Sequence, residues 1–333
     1  MLLLVLALQN PVPLPTTAPA DFTKRAHTYS IVAYDSATGD LGIAVESKFP
    51  NVGGIVPWAR AGVGAVASQS LGNTHFGNEG LDLIAQGATA AEAMRIVMRS
   101  DPRPSQRQVG MVDAMGNAAS WTGDSCFDWA GGRTLGANGV IVLGGKGQMI
   151  VGHGFAAQAN IMVSDQTVKN LADAFMAAKG SLADRLMAAL HAGQAGGGDK
   201  RGMESAALLV VRKNAGYLGN NDRYIDIRVY DDTNPIRELD RLYRLHQLYF
   251  FTSKPEDLMA ITPDIVKQLE PILLREPLNQ KEKWLAAPQG TANQTFLEAL
   301  ANFMYWENYD VRVRMDGKID RIVLEDILAR RKK

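Results

Sequence analysis

Two runs rich in Val, Ile and Tyr, residues 28–35 and 41–49, flank a Thr38-Gly39 turn signal, and they constrain this chain more than any other feature. They predict a hairpin. A two-residue loop between Ala37 and Asp40 sets Thr28 opposite Phe49, whereas a four-residue loop between Asp35 and Asp40 sets it opposite Ser47. Either register brings Thr28 beside Ser47, Lys48 and Phe49.

The small and apolar run 61–69 suits a strand buried on both faces. From Gly77 the apolar spacing turns helical, through Leu81, Ile84 and Ala85 and then Ala90, Met94, Val97 and Met98, with Gly87 dividing two pieces. Asp101-Pro102-Arg103-Pro104 stops that pattern. Residues 108–114 and 118–122 predict a second hairpin around Met115-Gly116-Asn117, and the glycine-rich stretch 131–154 predicts short strands and turns. Helices follow over 165–178, with Asp165 as N-cap, and over 182–192 behind Ser181. Strands over 205–212 and 224–230 close this part. Strands, helices, strands, helices and strands again form a layered α+β order, not βαβ alternation.

Asp231-Asp232-Thr233-Asn234-Pro235 is a polar, turn-forming cluster that marks a boundary. Beyond it the chain reads as mainly helical, with Leu239, Leu242, Leu245 and Tyr249 lining one helical face and Ile265, Leu269, Ile272 and Leu273 marking another helix. A further helix is predicted over 296–306, a turn at Asp316-Gly317 and a last helix over 319–328. The expected domains are therefore 28–235 and a small helical module, 236–333.

Lys and Arg together number 35, as do Asp and Glu, so nothing points to nucleic acid or a polybasic membrane anchor. A single cysteine, Cys126, leaves no internal disulfide and no multi-cysteine metal site, and it reads as a packing residue. His75, His153 and His191 lack metal-ligand spacing, so no metal and no cofactor are expected. The apolar run 2–8 is too short to span a bilayer, and Ala18-Pro19-Ala20 follows it with the small residues of a signal-peptidase site. Residues 1–20 thus read as a short, atypical signal peptide and 21–27 as a propeptide. The mature protein is expected to be secreted or periplasmic, without a membrane span.

That leader gives Thr28 its interest. A threonine at a mature N-terminus holds a hydroxyl nucleophile and an amine base in one residue. Lys48 could tune the amine through its charge. Gly196 to Gly202 offers consecutive glycines beside Asp199, Lys200 and Arg201, a loop able to cradle an oxyanion or a carboxylate. Arg107-Gln108 and Gln158-Ala159-Asn160 put polar side chains at the ends of apolar stretches, where an amide could donate to a developing oxyanion.

Five stretches carry a resemblance: Thr28-Tyr29-Ser30-Ile31-Val32-Ala33, Gly42-Ile43-Ala44-Val45-Glu46-Ser47-Lys48-Phe49, the run from Val56-Pro57-Trp58 to Ala67-Ser68-Gln69, Arg107-Gln108-Val109-Gly110, and Gly197-Gly198-Asp199-Lys200-Arg201-Gly202 continuing to Leu208. Together they resemble the DUF1028 family, which is grouped with the N-terminal nucleophile (Ntn) hydrolases. The resemblance implies a four-layer αββα sandwich and a hydrolase of amide bonds in a small or cell-wall-derived substrate. Thr28 matches the family's threonine, and exposing its amine requires a cut between His27 and Thr28. Thr28, Lys48 and Asn160 are the expected catalytic residues. Ser47, Gln69, Arg107, Gln108, Gly197, Gly198, Asp199 and Arg201 are expected to bind substrate. Leu300 to Arg312 and Asp316-Gly317-Lys318-Ile319-Asp320 resemble a peptidoglycan-binding module often joined to this family, which makes peptidoglycan a candidate partner of 236–333. Trp306 and Tyr305 could stack on sugar rings there, although helical aromatics are more commonly core. An exported binding protein that retains the scaffold without catalysis is the alternative, and a homo-oligomer is compatible with either.

Overall fold

A computed structural model describes residues 28–135, 142–145, 154–275 and 283–330. The expected leader and propeptide, and part of the glycine-rich stretch 131–154, lie outside the described residues. The chain divides into two compact units, Met1–Ile236 and Arg237–Lys333.

The first unit opens with β1 (Thr28–Asp35) and β2 (Asp40–Ser47), paired antiparallel with Thr28 opposite Ser47 and Asp35 opposite Asp40. This is the register of the four-residue closure. The Gly39 N–H bonds the Asp35 carbonyl at 2.8 Å, and the Ala37 N–H bonds the Asp35 carboxylate at 2.9 Å. Next come β3 (Pro57–Arg60), β4 (Gly64–Ser70), α1 (His75–Ala85), α2 (Ala90–Ser100), β5 (Arg107–Asp113) and β6 (Ala118–Thr122). They are followed by β7 (Gly131–Leu135), β8 (Val142–Gly145), β9 (Phe155–Asn160), α3 (Gln166–Ala177), α4 (Leu182–Ala195), β10 (Ser205–Val211) and β11 (Arg223–Val229). Gly87 lies between α1 and α2 at φ +101°, a left-handed conformation in which a side chain is strained. Thr89 caps α2 in a capping box with Glu92, and Ser181 does the same for α4 with Asp184. Asp165 occupies the cap position of α3 without a side-chain cap bond and instead pairs with Lys169 at 2.7 Å.

The strands form a six-stranded sheet in the order β11-β10-β2-β1-β9-β7 and a five-stranded sheet in the order β3-β4-β5-β6-β8. Strand alternation gives each sheet two apolar faces. Val32, Ile43 and Val45 of the first sheet pack against Ala65, Ala67 and Val112 of the second. Val66, Val109 and Met111 turn the other way, onto Leu81, Met94 and Val97 of α1 and α2. On the far side of the six-stranded sheet, Phe155 meets Phe175 of α3 edge-on at 5.0 Å, and Tyr29 reaches the Leu190 carbonyl of α4. The β1–β2 hairpin is thus buried on both faces.

The second unit begins within α5 (Pro235–Phe250) and continues through β12 (Leu258–Ala260), α6 (Pro263–Leu273), α7 (Gln294–Trp306), β13 (Lys318–Asp320) and α8 (Arg321–Arg330). Val266, Leu269, Phe296, Leu300, Tyr309 and Val323 form its core. The buried Arg312–Asp320 ion pair ties the last turn to it, with Arg312 also donating to the Leu248 carbonyl at 2.8 Å. Strands β12 and β13 pair antiparallel, an element the sequence reading lacks, and the last helix starts two residues later than expected. Tyr305 and Trp306, for which core was the commoner expectation, are 54% and 51% exposed. Among the described residues no helix is long and apolar enough to cross a membrane.

Candidate active site

Thr28 begins β1 in the middle of the six-stranded sheet, opposite Ser47 of β2 on one side and Asn160 of β9 on the other. Only 4% of it is exposed. Its Oγ1 lies 3.0 Å from Ser47 Oγ, close enough for either hydroxyl to donate to the other. Strand alternation sends Thr28 and Ser30 toward the facing sheet, where β4 and β5 offer Gln69 and Gln108 as a directly paired couple.

These side chains form one buried network. Gln69 Nε2 donates to the Thr28 carbonyl at 3.1 Å and to Gln108 Oε1 at 2.8 Å, and Asn160 Nδ2 donates to the same Gln108 oxygen at 2.8 Å. Asn160 Nδ2 also lies 3.4 Å from the Thr28 carbonyl. Gln108 Nε2 in turn donates to Thr122 Oγ1 at 2.9 Å and to the Ala159 carbonyl at 2.8 Å. Ser30 joins by donating to Gln69 and accepting from Gln158 Nε2 at 2.6 Å. Gly110 makes room for this amide, since a Cβ there would stand 2.2 Å from Gln158 Oε1. Asn160 Oδ1 and Gln158 Oε1 are buried without a hydrogen-bond partner among the described residues.

A cavity of about 270 Å³ opens on Thr28, Ser47 and Gln69, and Phe49, Val52, Ile55, Val56 and Leu71 give it apolar walls. Two residues beside this site hold left-handed backbone: Ser70 at φ +63° on the cavity wall, and Ile161 at φ +59° directly after Asn160. A β-branched residue in that region is uncommon and costs on the order of 1 kcal/mol or more, so the surrounding structure must enforce it. A second cavity, about 350 Å³, shares Leu71 and Gly72 with the first and includes Asp101, Arg103 and Arg107 in its walls.

Of the residues expected from sequence, Thr28, Ser47, Gln69, Gln108 and Asn160 meet in this network. Arg107 does not join it. Its guanidinium is buried in a two-point bond to Asp101, at 3.1 and 3.0 Å, and also donates to the Leu71 carbonyl. Burial disfavours the Asp101 carboxylate, yet hydrogen bonds from Arg107, the Arg103 N–H and Asn73 outweigh it and hold its pKa below the usual value. Lys48 is bonded to the Met203 carbonyl at 3.3 Å and ion-paired with Glu204 at 3.4 Å. Gly197 and Gly198 take φ +110° and +57°, which turns their loop back onto the end of β9. There the Val163 N–H bonds the Gly198 carbonyl at 3.1 Å, and the N–H groups of Gly197, Arg201 and Gly202 are taken up within the loop and α4. Asp199 is buried and paired with Arg201 at 3.0 Å. None of these four loop residues lines the Thr28 cavity.

Glu46, not among the residues expected from sequence, precedes Ser47 on β2 and by strand alternation points to the helical side of the sheet. It is fully buried, and neither carboxylate oxygen has a hydrogen-bond partner among the described residues. Burial first and the nearby Asp199 second push its pKa well above the usual carboxylate value, against the opposing pull of Arg201 and Lys48. Tyr29, beside it on β1, is likewise raised by burial, Glu46 and Asp199. Strand alternation was the available signal, since an acid between Val45 and Ser47 on a strand covered on both faces has no route to water.

Among known proteins, a model described as "Family of unknown function (DUF1028)" matches residues 28–239, and one described as "Putative peptidoglycan binding domain" matches residues 249–327. A solved structure that the chain resembles is the crystal structure of protein SPO2555 from Silicibacter pomeroyi, assigned to the same DUF1028 model. The two are 28% identical with a TM-score of 0.55, over 66% of this chain and 89% of that one. A search of curated proteins returned no match. With a match that starts at Thr28, the first residue of β1, and runs through β11, this chain belongs to the DUF1028 family, followed by a peptidoglycan-binding-like domain.

Proposed function

We propose that the protein is an Ntn-type amide hydrolase whose nucleophile is Thr28, set free by a cut between His27 and Thr28. The observation that carries this reading is Thr28 itself. Its hydroxyl faces a cavity and stands 3.0 Å from a second hydroxyl, while Gln69 and Asn160 hold its carbonyl. A nucleophile fixed at both strand neighbours needs little reorganisation to attack. Two facing sheets with a helix pair outside each support the four-layer αββα arrangement, and the family match beginning at Thr28 supports that residue as the mature start.

In the proposed reaction the Thr28 α-amine takes the hydroxyl proton, directly or through one water, and Oγ1 attacks the substrate carbonyl. Collapse passes that proton from the α-ammonium to the leaving nitrogen, expels the amine product and leaves an ester on Thr28; water, giving its proton to the freed α-amine, then cleaves the ester and releases the acid. Ser47 Oγ is the polar group placed to steady Oγ1. Asn160 is bonded to Gln108 and the Thr28 carbonyl, so its first role is to hold the nucleophile; serving an oxyanion requires it to exchange those bonds. Lys48 and the Gly197–Arg201 loop act at longer range, by charge and by bracing the end of β9. A small or cell-wall-derived amide is the proposed substrate. The peptidoglycan-binding-like domain supports this, and its exposed Tyr305 and Trp306 supply sugar-stacking surfaces. The same domain supports an extracytoplasmic site of action.

Mass spectrometry of the mature protein, joined to hydrolysis assays on peptide and acyl-amide panels, tests the reading. A chain starting at Thr28, with turnover lost in Thr28→Ala and kept in part in Thr28→Ser, is expected. Undiminished turnover by Thr28→Ala would refute it, and a chain that keeps residues 21–27 and shows no turnover is a binding protein on the same scaffold.

A further inference from the structure

We infer that the second cavity is an anion subsite, so that the site takes amides carrying a carboxylate. This rests on the reading of the Thr28 cavity as the substrate site. The two cavities share Leu71 and Gly72 and so adjoin along that short stretch, past which a ligand seated at Thr28 would extend into the second. The first has no charged side chain in its walls, and the second has three: Asp101, Arg103 and Arg107.

Their charges do not cancel. Asp101 is fully occupied, because Oδ1 accepts from Arg107 Nε at 3.1 Å and the Arg103 N–H at 2.7 Å, while Oδ2 accepts from Arg107 Nη2 at 3.0 Å and Asn73 Nδ2 at 3.0 Å. Those four bonds use the capacity of a carboxylate and neutralise Arg107. The Arg103 guanidinium therefore has no acid left to pair with, and it makes no ion pair or side-chain hydrogen bond among the described residues. One unpaired positive charge, on the solvent-exposed Arg103, remains in the wall of this cavity, next to one whose walls hold no charged side chain. A monoanionic carboxylate balances that charge with two parallel guanidinium bonds, whereas a phosphate dianion leaves a negative charge over. The apolar first cavity thus takes the body of the substrate, and Arg103 selects among amides by the acid they carry.

The test uses the full chain with Thr28→Ala, which separates binding from turnover. Succinamate, glutaramate and adipamate are titrated by calorimetry against their neutral diamides. At least one acid is expected to bind about ten-fold tighter than its diamide, with a preference that Arg103→Gln removes and added salt weakens. Equal binding of acid and diamide across the series, no binding by any acid, or a preference surviving Arg103→Gln overturns the subsite. A preference found in Thr28→Ala beside a parent protein that hydrolyses no amide leaves the anion subsite standing and removes the hydrolase reading.

Discussion

Glu46→Gln is the most informative single change to the scaffold, because the structure fixes both the sign and the slope of its effect. Glu46 is enclosed between the six-stranded sheet and the helical side, with no hydrogen-bond partner for either oxygen and Asp199 nearby. The folded protein therefore keeps it protonated above the pH at which the unfolded chain releases the proton. For a carboxyl raised in this way, stability is fully present below the unfolded value of 4.5 and is lost as pH climbs toward the folded value. While one proton separates the two states, the loss is about 1.4 kcal/mol per pH unit. For a unit of this size that is a fall in Tm of about 3–6 °C per pH unit. Glutamine has the same shape and no proton to lose, so Glu46→Gln is expected to match the parent in acid and to surpass it progressively as pH rises. Scanning calorimetry of both proteins over a pH series, following the transition of the first unit, measures the divergence. Curves that stay parallel, or a variant less stable at every pH, would show that Glu46 is ionised and paired in the folded state and would falsify this reasoning.

Gln108→Leu is expected to cost about 2–4 kcal/mol in urea unfolding, because Gln69 and Asn160 lose a shared acceptor while Thr122 and the Ala159 carbonyl lose a donor. A cost below about 0.5 kcal/mol would mean that the amides re-pair without it. In the second unit, Trp306→Ala is expected to leave thermal stability nearly unchanged, since half the side chain is exposed, and to lower the fraction that sediments with purified murein. Unchanged sedimentation removes Trp306 from any sugar-binding role.

Local chemistry made much of the first unit legible. Gly87 separated two helices, Ser181 opened another, and the Thr38-Gly39 turn identified the first hairpin. The turn did not choose between registers, because both closures keep Thr38 and Gly39 in the loop and, differing by two residues, both leave Val32 and Ile43 on the same face; the bonds that Gly39 and Ala37 make to Asp35 accompany the one adopted. Strands of three residues, as in β12 and β13, are too short to show a period, so they were invisible. The candidate site divides similarly. Ser47 was found beside Thr28 because hairpin geometry is local. The Gln69–Gln108 couple depends on β4 and β5 pairing across a helix pair, a long-range event that no short stretch encodes. At Gly197 and Gly198 the glycines were legible but their use was not. The same backbone freedom that can cradle an anion here folds the loop onto Val163.

The network around Thr28 has one more implication, for how any reaction there responds to acid and base. Gln69, Gln108, Gln158, Asn160, Ser30, Ser47 and Thr122 are all groups that neither gain nor lose a proton in the working pH range. The space between the sheets is in this sense electrostatically silent, and its hydrogen bonds keep the same donors and acceptors from mild acid to mild alkali. The raised acid, Glu46, lies across the sheet on the helical side. A freed Thr28 amine would then be the one titrating group within this network, and none of the side chains that hold it would add a step of its own to a rate profile.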